Sequence, residues 1–92
     1  MEERKPTILV AEDEPSAQLL YREVLEEAGF KVLISGNGLQ ALAELEDEKV
    51  DLLITDIKMP DMSALDMIPL INQKRPSLPI IVVSAHYKQL KD

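Results

Sequence analysis

Ile8-Leu9-Val10-Ala11-Glu12-Asp13-Glu14 is an unbroken apolar run that turns abruptly into three carboxylates. A strand with no polar position is what a sheet covered on both faces demands, and the charges mark where that sheet runs out. The run therefore predicts a strand over about 7–11. Two further β-branched-rich runs follow the same plan. Leu52-Leu53-Ile54-Thr55 delivers Asp56, and Ile80-Ile81-Val82-Val83 delivers Ser84. If the three are neighbouring parallel strands, three carboxylates and a hydroxyl meet at one end of a sheet. Such a hard, anionic set of oxygens suits Mg²⁺ and a phosphoryl group.

Helical patterns separate the runs. Pro15-Ser16 opens a helix in which Leu20, Val24 and Ala28, with Leu25 beside them, form an apolar stripe, and Gly29 is a stop. Phe30 to Ile34 reads as a second strand and Ser35-Gly36-Asn37-Gly38 as a turn. Asn37 caps a helix to about Asp47 that buries Leu39, Leu42 and Leu45. Val50 to Thr55 is the third strand, and Lys58-Met59-Pro60-Asp61-Met62 a loop. Ser63 caps a third helix carrying Leu65, Ile68 and Ile71. Pro69 predicts a kink in that helix or a late start, because a proline removes a hydrogen bond and crowds the carbonyl four residues back. Arg75-Pro76-Ser77-Leu78-Pro79 breaks the chain before a fourth strand over 80–84, and residues 85–92 could begin another helix. Short strands alternating with helices imply βαβ crossovers and a parallel sheet.

The 92 residues make one domain, 46% hydrophobic, with its packing on Leu, Ile, Val and Met. The formal charge of −7 argues against a nucleic-acid surface, where a basic stripe would supply affinity. No apolar run approaches the roughly 20 residues that span a bilayer. The N-terminus has no secretory h-region, and there is no cysteine for a disulfide or a thiolate site. A cytoplasmic location fits these features. Glu23, Glu26, Glu27 and the stretch Glu44 to Glu48 read as solvated helix faces.

Glu12 and Asp13 repel each other, so both stay ionised only beside solvent or a cation. An Asp at the end of a second strand is a further ligand, and its oxygen can attack phosphorus to give an aspartyl phosphate. His86, the only histidine, stands two residues from Ser84 without a G-x-S-x-G elbow and reads as a loop residue. A D-x-D phosphohydrolase needs a second Asp where this chain has Lys58. Met59, Met62 and Met67 read as packing and loop contacts.

With these residues in place, the chain resembles the receiver domain of two-component response regulators. The resemblance rests on Ile8 to Glu14, on Asp51-Leu52-Leu53-Ile54-Thr55-Asp56-Ile57-Lys58-Met59-Pro60, and on Pro79-Ile80-Ile81-Val82-Val83-Ser84-Ala85, supported by Asn37-Gly38 with Ala41-Leu42. It implies a flavodoxin-like, doubly wound parallel α/β sheet, here ending after the fourth strand with three to four helices. It also implies that Asp56 accepts phosphate from a sensor histidine kinase or phosphotransfer protein. Glu12, Asp13, Asp56 and the backbone carbonyl of Lys58 would hold Mg²⁺, and Ser84 would bond a phosphoryl oxygen as the switch hydroxyl. Such a module takes part in its own phosphorylation without being a turnover enzyme.

The resemblance has departures. Ser63-Ala64 stands where the family has a small residue, usually Gly. The family's fifth strand, with its lysine, has no counterpart before Asp92, and neither Lys88 nor Lys91 sits in the matching motif. The expectation is therefore a single receiver-like domain over 1–92, incomplete at its C-terminus, with the fourth strand as an apolar edge that pairs two copies into a homodimer. The alternative function is a phosphorylation-impaired structural or dimerisation module.

Overall fold

A computed structural model describes residues 5–47, 49–59 and 61–84. Four parallel strands, β1 (Thr7–Ala11), β2 (Lys31–Ser35), β3 (Leu52–Asp56) and β4 (Ile80–Val83), lie in the order β2-β1-β3-β4. They alternate with α1 (Pro15–Glu27), α2 (Gly38–Asp47) and α3 (Ala64–Lys74). This is the flavodoxin-like α/β arrangement expected. The register pairs Ala11 with Ser35 and Thr55, and Asp56 with Val83, so the carboxyl ends of β1, β3 and β4 stand together.

β1 is buried along its whole length and divides its side chains between two cores by the two-residue period of a strand. Ile8 and Val10 join Val32 on one face, with Tyr21 and Leu25 of α1 packed over them. Leu9 and Ala11 face the other way, against Leu53, Ala41 and Leu45 of α2, and Met67 and Ile71 of α3. Helices fall on opposite faces because the chain winds outward from β1 in one direction and from β2 across to β3 and β4 in the other. The reversal leaves a crevice beyond the ends of β1 and β3, the usual ligand site of such sheets.

The capping residues act as expected. The backbone N–H of Gln40 donates to Asn37 Oδ1 at 2.8 Å, and Ser63 Oγ accepts from the N–H of Asp66. Pro15 occupies the first turn of α1, and Gly29 ends that helix at a φ of 101°.

Several helix faces differ from expectation. In α1 the sheet-facing residues are Tyr21 and Leu25, while Leu20 and Val24 are 61% and 56% exposed. Those two line an open cleft of about 430 Å³ with Glu12, Ala17, Tyr21 and Val83. They lie beside the end of β4, where no described helix covers this face of the sheet. In α2 and α3, Leu39 and Leu65 are exposed, and Ala41, Ala64 and Met67 take the buried positions. Ala41 and Ala64 let the helix backbone approach the sheet closely, and the long, flexible Met67 fills the space left between them. α3 already starts at Ala64, so Pro69 lies in its second turn, not at a late start. The expected helix after Ser84 lies outside the described residues, as do His86, Lys88 and Lys91.

Candidate phosphoryl-transfer and metal site

Each acidic residue is carried to the crevice by a strand that the core fixes. Glu12 follows β1, and its N–H donates to the carbonyl of Ser35 at the end of β2, at 2.9 Å. Asp56 closes β3. The N–H of Ile57 donates both to Val83 O at 3.0 Å and to Asp56 Oδ1 at 2.8 Å, which ties the Asp56 carboxylate to the β3–β4 pairing. Thr55 Oγ1 donates to the Asp56 carbonyl at 2.9 Å. Glu12 and Asp56 are buried, whereas Asp13 is exposed. One carboxylate oxygen from each of Glu12, Asp13 and Asp56 falls in a set whose members lie within 4.8 Å of one another.

Glu14 takes a different part. Its carboxylate caps α1, accepting from the N–H groups of Ser16 and Ala17 and from the Ser16 hydroxyl. These bonds, the Ser16 hydroxyl first, hold its pKa below the ordinary value. Glu12 shifts the other way. Burial pushes its carboxyl above the ordinary 4.5; the Glu14 N–H bond opposes this, and the charges of Asp56, Asp13 and Glu14 add to it.

A group whose folded pKa is raised contributes stability that is full below the unfolded pKa and declines as pH rises through the folded one. The Glu12 contribution to the metal-free chain is therefore expected to fall as pH climbs from about 4.5 through the folded value. Glu12→Gln should remove this slope and raise the melting temperature at neutral pH in EDTA. Thermal unfolding against pH measures it, and a less stable Glu12→Gln protein at neutral pH would contradict it.

Two neighbours of the site carried no signal in the sequence. Gln18, on α1, donates from Nε2 to the Glu12 carbonyl at 2.5 Å and so fixes the backbone that presents Glu12. The Tyr21 hydroxyl is pushed up by burial, and further by the negative charges of Glu12 and Asp56. Of the remaining expected residues, Lys58 is exposed two positions beyond Asp56. Ser84 is exposed one position beyond Val83, the register partner of Asp56. Both therefore stand at the carboxylate end of the sheet.

Three gathered carboxylates, two of them buried, make a donor set that fits a small hard dication.

The model of the response regulator receiver domain family matches residues 8–91. The chain belongs to this family. Among curated proteins, this receiver domain is 39% identical over 79 residues to the DNA-binding transcriptional regulator NtrC of Bradyrhizobium; the match covers 86% of this chain and 16% of that protein. Among solved structures, the Thermotoga maritima response regulator TrrA superposes with a TM-score of 0.83 at 35% identity, covering 91% of this chain and 75% of that one. That structure is a complex with Mg²⁺-BeF. A response regulator receiver protein of Pseudomonas putida gives a TM-score of 0.83 at 30% identity, covering 90% of this chain and 70% of that one. The receiver thus spans under a fifth of the NtrC relative's length. No helix among the described residues is long and apolar enough to cross a membrane.

Proposed function

We propose that this receiver accepts a phosphoryl group on Asp56 from a sensor histidine kinase or phosphotransfer protein, with Mg²⁺ held by Glu12, Asp13, Asp56 and the carbonyl of Lys58. The observation that carries this reading is the cluster of Glu12, Asp13 and Asp56 oxygens at the ends of β1 and β3. An Asp56 carboxylate oxygen forms the new bond to phosphorus as the bond to the donor's imidazole nitrogen breaks, and the departing imidazole takes up a proton. When bound, the ion offsets the charge of the carboxylates and of the phosphoryl oxygens.

The protein's own part is placement. The Ile57 N–H holds Asp56 Oδ1 and the Glu14 N–H holds Glu12 Oε2 at 3.0 Å. Ser84, one position beyond the register partner of Asp56, is the hydroxyl we assign to a phosphoryl oxygen. The module serves signalling, not turnover. The Mg²⁺-bound TrrA complex supports the choice of ion. Labelling by acetyl phosphate tests the reading: the chain should gain a phosphoryl group with Mg²⁺ and none in EDTA, and EDTA-resistant labelling would overturn the role of the ion.

Among the described residues β4 is the edge of the sheet, with Ile81, Val82 and Val83 exposed, and this is the surface we assign to a second copy of the chain. A monomeric mass by light scattering at micromolar concentration would remove that assignment.

A further inference from the structure

Gly38 begins α2, distant in sequence from every carboxylate of the site. Its φ is not positive, since Gly29 is the glycine with that conformation among the described residues. Backbone freedom therefore does not explain why glycine stands there. Close approach does. A Cβ on Gly38 would lie 2.5 Å from the Met62 carbonyl oxygen, 2.9 Å from Met62 Cβ and 3.3 Å from the Met62 carbonyl carbon. Two of these three atoms are backbone and cannot swing aside as a flexible side chain could.

The two sides of this contact differ in how firmly they are held. The start of α2 is tied by the Asn37 cap, by Gly36 N–H donating to Gln40 Oε1 at 3.0 Å, and by Ala41 N–H donating to Asn37 O at 3.1 Å. Ala41 and Leu45 then anchor the helix in the core. The connection from β3 to α3 is closed by Ala64 N–H donating to the Ile57 carbonyl at 3.1 Å. Within it Asp61 sits at a φ of 74°, a conformation that persists only where surrounding contacts support it. Met62 seats its side chain against the core and its backbone against Gly38. α2 is thus the wall, and the β3–α3 connection leans on it.

That connection also carries Lys58. We infer that Gly38 is a positioning residue for the metal site: by letting Met62 seat directly on α2, it sets where the Lys58 carbonyl stands relative to Asp56. The inference rests on the reading of Glu12, Asp13, Asp56 and Lys58 as the Mg²⁺ site. Opening the contact from 2.5 Å to the 3.4 Å where ordinary packing begins requires a shift of about 0.9 Å. The less anchored side would take most of it. Mg²⁺ demands near-ideal octahedral geometry at about 2.0–2.1 Å, so a displacement of that size in one ligand weakens binding.

Calorimetric titration with Mg²⁺ tests this on the wild-type chain, Gly38→Ala and Gly36→Ala. A Cβ on Gly36 would meet only Gln18 and Gln40 side-chain atoms at 3.9 Å, so that variant controls for adding a methyl group nearby. Gly38→Ala is expected to weaken Mg²⁺ roughly 10-fold, the size of effect that supporting residues around a metal produce. Gly36→Ala should stay within about twofold. A folded Gly38→Ala protein with wild-type affinity would overturn the inference, even if its melting temperature had dropped. Should Gly38→Ala fail to fold, Met62→Gly loosens the same seat from the other side, and wild-type affinity there overturns it equally. A wild-type chain that binds no Mg²⁺ would instead overturn the metal reading on which the inference stands.

Discussion

Replacing Asp56 by Asn is expected to reduce acetyl phosphate labelling of the chain to background while leaving the fold intact. The substitution is close to isosteric, and its amide oxygen can still accept the Ile57 N–H bond now made to Oδ1 at 2.8 Å. It removes two things: a negative charge and the nucleophile. The loss of charge spares the fold, because Asp56 is among the groups whose repulsion raises the Glu12 pKa. Metal-free stability should therefore hold or rise. The loss of the nucleophile is decisive, since a neutral amide oxygen is too weak a nucleophile to attack phosphorus.

Intact-mass spectrometry after incubation with acetyl phosphate and Mg²⁺ measures the effect, with circular dichroism reporting the fold. Glu12→Gln gives the contrast, because it removes a ligand and leaves the nucleophile, so labelling should slow without vanishing. Label that survived in Asp56→Asn would place the acceptor on another residue.

The strands and the acidic cluster were legible for related reasons. A strand buried on both faces must be apolar throughout, so Ile8 to Ala11 and Leu52 to Ile54 announce themselves, and a carboxylate at the end of such a run stands where the sheet stops. Helix faces were less legible because spacing fixes the width of an apolar stripe but not which neighbouring stripe meets the sheet. Leu19, Leu20, Tyr21, Val24 and Leu25 satisfy a helical period in two phases. The core took Tyr21 and Leu25, whose positions lie over Val10 and Val32.

Other features are tertiary and leave no local trace. Gln18 reaches the Glu12 carbonyl from within α1, and Gly38 makes room for a backbone 24 positions away. In sequence the first is an ordinary polar helix residue and the second an ordinary turn glycine.

Leu53→Ala should be the most damaging of the conservative truncations. Leu53 is fully buried in β3 and packs in the larger core with Leu9, Ala41, Met67 and Ile71. Its residues come from β1, α2 and α3, so a cavity there opens between the sheet and both helices of that face, and capped helices resist collapsing into it. Truncations of this kind cost about 2–5 kcal/mol, from the lost transfer energy together with the cavity left behind. A domain of this size has roughly 5–14 kcal/mol in total at ordinary stability per residue. A cost near 3 kcal/mol would lower the melting temperature by roughly 10–25 °C.

Leu65→Ala is the matched control. It deletes the same atoms from a residue 73% exposed at the start of α3 and should change stability by less than about 0.5 kcal/mol. Urea unfolding of both variants in EDTA separates packing from metal binding. A loss below about 1 kcal/mol for Leu53→Ala would mean that the sheet and its helices close over the gap. The strand would then not be held rigidly enough to fix Asp56, three residues on, beside Glu12.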